Sequence, residues 1–246
     1  MTLIQAYHRP HTLDEALQLL ARPGLKTAVL AGGAYLNAHA DGVDEVVDLQ
    51  SLPLTGAARE GDQLTLGAMT TIQTVVDAAG APALLREMAH REGPNTFRNQ
   101  GTVGGAIVCA DPESEFVAAL LVLEATLTIV TPAGDRTLPL AAFLADAPAA
   151  LDGGILTWVA LATGGVTASE RVARTPADKP IVAAVARKTP DGRVLLALCG
   201  VAATPILVAP DQLSALGPPA DFRGSSEYRR EMAILLAGRV LSRLDS

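Results

Sequence analysis

Two glycine-rich stretches are the residues best suited to hold a ligand. The first, Ala31-Gly32-Gly33-Ala34-Tyr35-Leu36, directly follows the β-type run Thr27 to Leu30. The second, Asn99-Gln100-Gly101-Thr102-Val103-Gly104-Gly105-Ala106, closes a glycine-rich loop expected from Gly93 to Gly105. Glycine lets the backbone approach a ligand closely, and consecutive N–H groups can line a concavity for an anion. A diphosphate suits such a loop, because it needs many donors and leaves little room for side chains. Neither stretch has the Gly-x-Gly-x-x-Gly spacing of a dinucleotide-binding turn or the Gly-Lys-Ser/Thr ending of a P-loop. Taken singly, a tight turn accounts for either one.

Other chemistry is sparse. His8, His11, His39 and His90 show no metal-ligand spacing. Cys109 and Cys199 read as small buried hydrophobes. Two cysteines exclude a disulfide framework and a four-thiolate cluster held within this chain. No serine sits in Gly-x-Ser-x-Gly. Asp111 and Glu115 lie one helical turn apart near an expected helix start, where acids favour the positive end of the helix dipole. The residues name no acid, base or nucleophile.

The composition bounds what these residues can serve. The chain has 246 residues, and 19 Lys+Arg against 26 Asp+Glu leave a net charge of −7. That balance argues against a nucleic-acid partner, which needs a basic stripe. Apolar residues make up 49% and charged residues 18%, which excludes disorder as the default. The longest apolar runs, Phe116 to Leu123 and Ile181 to Ala186, are far shorter than the ~20 residues of a membrane span. The N-terminus meets charge and proline before an apolar run can build, so no export signal is expected. The expected compartment is the cytoplasm, with no membrane partner.

The elements that must position the glycines follow from capping and periodicity. Thr12-Leu13-Asp14-Glu15 is a capping box, and Leu13, Ala16, Leu17 and Leu20 continue one helical face until Pro23-Gly24. Strands are expected at Thr27 to Leu30 and Val46 to Leu49, which suggests a small α/β unit. Leu64 to Leu66 is strand-like, Thr70 or Thr71 can cap a helix through Ala79, and Ala81 to Arg91 looks helical with Leu84, Leu85 and Met88 as its stripe. A helix over Pro112 to Leu123 follows, with Pro112 in its first turn. Ala125 to Thr131 and Arg136 to Leu140 form a hairpin, and Ile155 to Ala162 one more strand. Thr163-Gly164-Gly165 is the expected boundary. Beyond it, Ile181 to Arg187 and Arg193 to Val201 flank the hairpin turn Thr189-Pro190-Asp191-Gly192. Pro205 to Val208 adds a strand, and a final helix runs from Ser226 to Leu244, capped by Ser225 or Ser226.

Arg98-Asn99-Gln100-Gly101-Thr102-Val103-Gly104-Gly105, leading into Asp111-Pro112-Glu113-Ser114-Glu115, resembles the signature of the flavin-binding subunits of molybdenum hydroxylases, the xanthine dehydrogenase and carbon monoxide dehydrogenase group. The pattern there runs approximately R-N-x-x-T-I-G-G-N, then D-P-x-x-D. Tyr7-His8-Arg9-Pro10 with Leu13-Asp14-Glu15-Ala16 is similar to the family's opening. Ala31-Gly32-Gly33 is similar to its first phosphate loop, A-G-G-T-D-L. Leu66 to Thr71 and Ser226 to Ala233 resemble its middle turn and its C-terminal helix.

The resemblance implies an α+β chain: a PCMH-type FAD-binding domain over residues 1–165, with two α/β subdomains at about 1–52 and 53–165. A C-terminal domain with a small antiparallel sheet and helices would follow over 166–246. It implies FAD, its diphosphate on backbone groups of Ala31, Gly32, Gly33, Ala34, Tyr35 and Leu36 and of Thr102, Val103, Gly104, Gly105 and Ala106. Glu115 takes the place of the family's acidic residue near the ribose, with Asp111 beside it. Arg171 or Arg174 could neutralise charge near the reduced flavin, the competing reading being a solvated surface arginine. The implied partners are a molybdopterin-binding large subunit and a small subunit with [2Fe–2S] clusters, which this chain cannot ligate itself.

Departures from the pattern carry consequences. The family's Thr and Asp in the first loop are Ala34 and Tyr35, and its Asn in the second is Ala106. At roughly 0.5–1.5 kcal/mol net per lost hydrogen bond, these changes weaken FAD binding by about one to three orders of magnitude. The stretch after Leu140 also lacks the family's aromatic-Gly-Tyr-Arg loop. Two functions follow as expectations: an FAD-dependent electron-transfer subunit, or a scaffold that keeps the fold without the cofactor. A stand-alone flavin oxidase fits less well, because nothing in the chain resembles a substrate site.

Overall fold

The computed structural model describes residues 4–36 and 41–245; His39 lies outside them. Ala6–His8 (β1) enters first, and Thr12 then caps α1, Leu13–Leu20, by accepting the Glu15 N–H at 3.2 Å. The Glu15 carboxylate reaches back to the His11 N–H at 3.0 Å, one residue earlier than an ideal capping box. Thr27–Leu30 (β2) and Glu45–Asp48 (β3) follow. They form a parallel three-stranded sheet in the order β1-β3-β2. Ala16 and Leu17 of α1 pack with Val47, Leu49 and Leu52 beneath it.

A five-stranded antiparallel sheet comes next, in the order β4-β5-β8-β6-β7. Its strands are β4 (Ala57–Glu60), β5 (Gln63–Gly67), β6 (Thr126–Thr131), β7 (Gly134–Pro139) and β8 (Ile155–Ala162). Between β5 and β6 run α2 (Ile72–Asp77), α3 (Ala83–Arg91), α4 (Asn95–Gln100), α5 (Val103–Cys109) and α6 (Glu115–Val122). Two short helices, α7 (Leu140–Ala145) and α8 (Ala147–Leu151), link β7 to β8. The third sheet is antiparallel in the order β12-β11-β10-β9, from β9 (Val166–Val172), β10 (Val182–Lys188), β11 (Val194–Cys199) and β12 (Ile206–Leu207). Ser225 caps the last helix, α9 (Ser226–Arg243), which packs on this sheet. The mixture of helices with largely antiparallel sheets is the α+β class that the resemblance implies.

Helix α6 explains how the parts are joined. Every residue from Glu115 to Val122 is buried, so the helix has no solvent face and is apolar nearly all round. On one side it meets α3, and on the other β10 and β11. The run Phe116 to Leu123 is therefore the seam between the central sheet and the C-terminal sheet. Arg187, only 2% exposed, fixes the same seam by donating to the carbonyls of Gly164 (2.8 Å) and Val122 (3.1 Å). Its guanidinium also pairs with Glu124 at 2.9 Å. An arginine carries enough donors to satisfy several buried acceptors at once, which makes it tolerable there.

Several elements differ from their expected bounds, each for a local reason. The helix expected from Pro112 begins at Glu115, because Ser114 caps it by accepting the Val117 N–H at 3.0 Å. The helix from Thr71 stops at Asp77, short of Ala79. The expected loop from Gly93 to Gly105 contains α4 and the first turn of α5. Thr102 caps α5 there, and Gly104 is a glycine because the helix start presses on Ala68; an added Cβ would lie 2.9 Å from the Ala68 Cβ. Strands β1, β4 and β9 lie outside the expected set. Strand β4 is exposed at every residue and so carries no alternation to read. Among the described residues no helix is long and apolar enough to cross a membrane.

Candidate cofactor cavity

A cavity of about 300 Å³ lies where the first glycine-rich stretch faces α5. Ala31, Gly32, Gly33, Ala34, Tyr35 and Leu36 form one wall, and Thr102, Gly104, Gly105 and Ala106 the opposite one. Apolar side chains of Val29, Leu49, Met69, Ile72 and Leu156 close the rest, with Phe97 beside Gly101. Asp111, Glu92 and Lys179 meet at one end.

The first wall is shaped by its glycines. Gly33 has φ +72°, a left-handed conformation that costs glycine nothing. Gly32 has its backbone against the end of α4, where an added Cβ would stand 1.5 Å from the Gln100 carbonyl oxygen. Among the described residues no acceptor takes the N–H of Gly32, Gly33 or Ala34. These consecutive free donors beside a cavity are the arrangement that binds an anion. Tyr35 is 42% exposed at the rim, so its ring leaves the cavity open.

The second wall differs from its expected role. Thr102 caps α5 by accepting the Gly105 N–H at 3.0 Å. Val103 donates to the Thr70 carbonyl at 2.9 Å, Gly104 to Ala68 at 2.8 Å and Ala106 to Thr102 at 2.9 Å. The first-turn donors expected to hold a diphosphate are therefore already engaged, because α5 starts against the turn after β5. Val103 is fully buried in the central core and does not line the cavity. What this wall provides is close backbone packing and the helix start itself.

Charge enters from the end of α5. Ala110 adopts φ +46° and turns the chain so that Asp111 faces the cavity. Lys179, from the β9–β10 connection, places Nζ 2.7 Å from Asp111 Oδ2 and 3.8 Å from Glu92 Oε1. Glu92 caps the C-terminal end of α3, is 5% exposed, and accepts the Ser114 hydroxyl on its other oxygen at 2.8 Å. Burial pushes its carboxyl up to about 7, against the lowering effect of Lys179. Burial opposes charge on Lys179, yet Glu92 and Asp111 outweigh it and raise its pKa. Burial, with Asp111 adding to it, pushes the Cys109 thiol up to about 11.

Glu115 and Arg171 do not line this cavity. Glu115, 3% exposed, pairs with Arg171 Nη1 at 3.0 Å and with Arg91 Nη1 at 3.1 Å. Burial raises its pKa, and the two guanidinium groups oppose that shift. Arg171 also donates to the Asp178 carbonyl. Both take part in an internal ion-pair network at the seam, so their expected places near the ribose and the reduced flavin would have to be reached with these pairs in place. Arg174 pairs with Asp178 at 3.5 Å and lies 5.8 Å over the exposed Phe222 ring, away from the cavity. The residues that motif reading passed over are Glu92 and Lys179. Glu92 had a signal, since it continues the Leu85 and Met88 stripe at helical spacing and so places an acid on a buried face. Lys179 had none.

Comparison with known proteins places the chain in a family. The model of the FAD binding domain in molybdopterin dehydrogenase matches residues 3–161. The YgfM protein of Escherichia coli K12 is 30% identical over 244 residues, covering 93% of this chain and 92% of that protein. The carbon monoxide dehydrogenase medium chain of Hydrogenophaga pseudoflava is 28% identical over 273 residues, covering 96% and 95%. A solved carbon monoxide dehydrogenase from the same organism superposes with a TM-score of 0.88 at 24% identity, over 99% of this chain and 98% of that one, which shows the shared fold. The chain belongs to the family of FAD-binding domains of molybdopterin dehydrogenases.

Proposed function

We propose that this chain binds FAD in the cavity between the Ala31 to Leu36 loop and α5, as the flavin subunit of a molybdopterin-dependent dehydrogenase. In that complex it takes electrons from the iron–sulfur clusters of a small partner subunit, reduced in turn by a molybdopterin-binding large subunit, and delivers them to an acceptor in the cytoplasm. The observation that carries the reading is the row of N–H groups at Gly32, Gly33 and Ala34, which no acceptor takes among the described residues, beside an apolar cavity. It divides the chain into a PCMH-type domain over 1–165 and a C-terminal domain over 166–246.

The bound flavin supplies the redox chemistry, and the protein supplies position and electrostatics. Gly32, Gly33 and Ala34 hold the diphosphate by donating backbone N–H groups. Val29, Leu49, Ile72 and Leu156 exclude water from the cavity walls. Lys179 brings the positive charge of the C-terminal part to the cavity end, and Asp111 orients it. The resemblance to the carbon monoxide dehydrogenase medium chain supports a multi-subunit setting.

The test is a visible spectrum of the purified protein before and after adding FAD, read near about 450 nm where oxidised flavins absorb. Uptake of FAD is expected. A colourless protein that takes up none at high micromolar concentration overturns the cofactor reading. Co-purification with a large and a small subunit encoded beside it tests the assembly.

One observation favours a second reading, a scaffold without cofactor. The donors at the start of α5 are engaged within the protein, and Ala34 and Ala106 offer no side-chain hydrogen bond. Failure of FAD uptake together with retained assembly of the complex would select it.

A further inference from the structure

Lys179 is the only cationic side chain that lines the cavity among the described residues, and it faces two carboxyl groups. The free cavity therefore has one positive charge to share between Asp111, Glu92 and an incoming anion. A diphosphate brings negative charge on each of its phosphates, and three acidic groups around one ammonium repel one another. Asp111 is partly exposed, so water reaches its carboxylate. Glu92 is nearly sealed, and Lys179 favours its charge most, with smaller help from the Ser114 hydroxyl and the Phe116 N–H.

We propose that a diphosphate cofactor, FAD on the reading above, draws the Lys179 ammonium toward itself, and that Glu92 takes up one proton from solvent as the complex forms. The groups facing Glu92 from the surrounding elements support this. Lys179 comes from the β9–β10 connection, Asp111 and Cys109 from the end of α5, Ser114 from the cap of α6, and Cys199 from β11. Both thiols are neutral at ordinary pH, because burial pushes Cys109 up to about 11 and raises Cys199 as well. The nearby Arg91 and Arg171 are committed to Glu115, and Arg91 also to Glu87. Among the described residues no second cation is left to hold Glu92 ionised once Lys179 turns away.

The free protein's Glu92 carboxyl is already raised to about 7. Losing Lys179 to an anion raises it further, so the uptake is greatest above about pH 7 and vanishes well below it. The affinity for FAD then falls by up to about tenfold per pH unit above that point.

Calorimetric titration of the full chain with FAD, in buffers of differing ionisation enthalpy at about pH 8, reads the proton directly. An uptake approaching one proton is expected, with none for Glu92→Gln and a flat pH profile for that variant. Lys179→Met is expected to weaken binding and to abolish the uptake, since Glu92 is then protonated beforehand. Wild-type binding that is independent of buffer and flat from about pH 6 to 9 overturns the proposal, as does an uptake that survives Glu92→Gln. Absence of FAD binding at every pH is a different result, which overturns the cofactor reading on which the proposal rests.

Discussion

Gly32 and Gln100 meet backbone to backbone: a Cβ on Gly32 would lie 1.5 Å from the Gln100 carbonyl oxygen. The two glycine-rich stretches, far apart along the chain, are thus one construction. The end of α4 sets how close the first loop comes to α5, and so how wide the cavity is. Gly32→Ala must push this loop off a backbone that has no flexible end to move. We expect a loss of about 1–3 kcal/mol in stability, read from urea midpoints, and weaker FAD uptake at temperatures where the variant remains folded.

Arg171 and Glu115 form a structural pair, which separates them experimentally from cofactor binding. Arg171→Met leaves the buried Glu115 with Arg91 alone. Breaking a buried pair outright costs about 3–5 kcal/mol, and the remaining arginine reduces that figure. Stability should fall while the FAD dissociation constant of the folded variant stays unchanged. A large rise in that constant at unaltered stability would return Arg171 to the flavin.

Glu92 makes stability depend on pH with a definite sign. Its carboxyl rises from 4.5 to about 7 on folding, mainly through burial. The folded state then binds more protons than the unfolded state between those values, so the contribution of Glu92 to stability is full below about 4.5 and is lost as pH rises to about 7. The shift corresponds to about 3 kcal/mol. Denaturant midpoints at about pH 5 and 8 should show this loss in the wild type and a much smaller one in Glu92→Gln.

The altered loop residues can be restored. Ala34→Thr, Tyr35→Asp and Ala106→Asn together should tighten FAD binding by about one to three orders of magnitude, if each regains a hydrogen bond. Fluorescence titration of both proteins checks this. Equal affinities would mean that backbone donors at Gly32 to Ala34 suffice.

Much of this protein could be read from its residues alone, wherever the deciding interaction is local. Thr12, Thr71 and Ser225, each among the expected caps, cap their helices through bonds three residues away. The Thr189 to Gly192 turn fixes the β10–β11 hairpin by its own backbone. The glycine-rich stretches announced a cavity because close approach demands glycine wherever the partner lies. Charged residues were legible in type but not in role. The partners of Glu115, Arg91 and Arg171, lie 24 and 56 positions away and are brought to it only by folding. Lys179 carries no signal in the sequence, yet it pairs with Asp111 across 68 positions. Likewise the Gly104 N–H was available on paper and is spent on Ala68 in space. A charge or a donor serves whichever partner reaches it first at short range, and only the tertiary structure decides which partner that is.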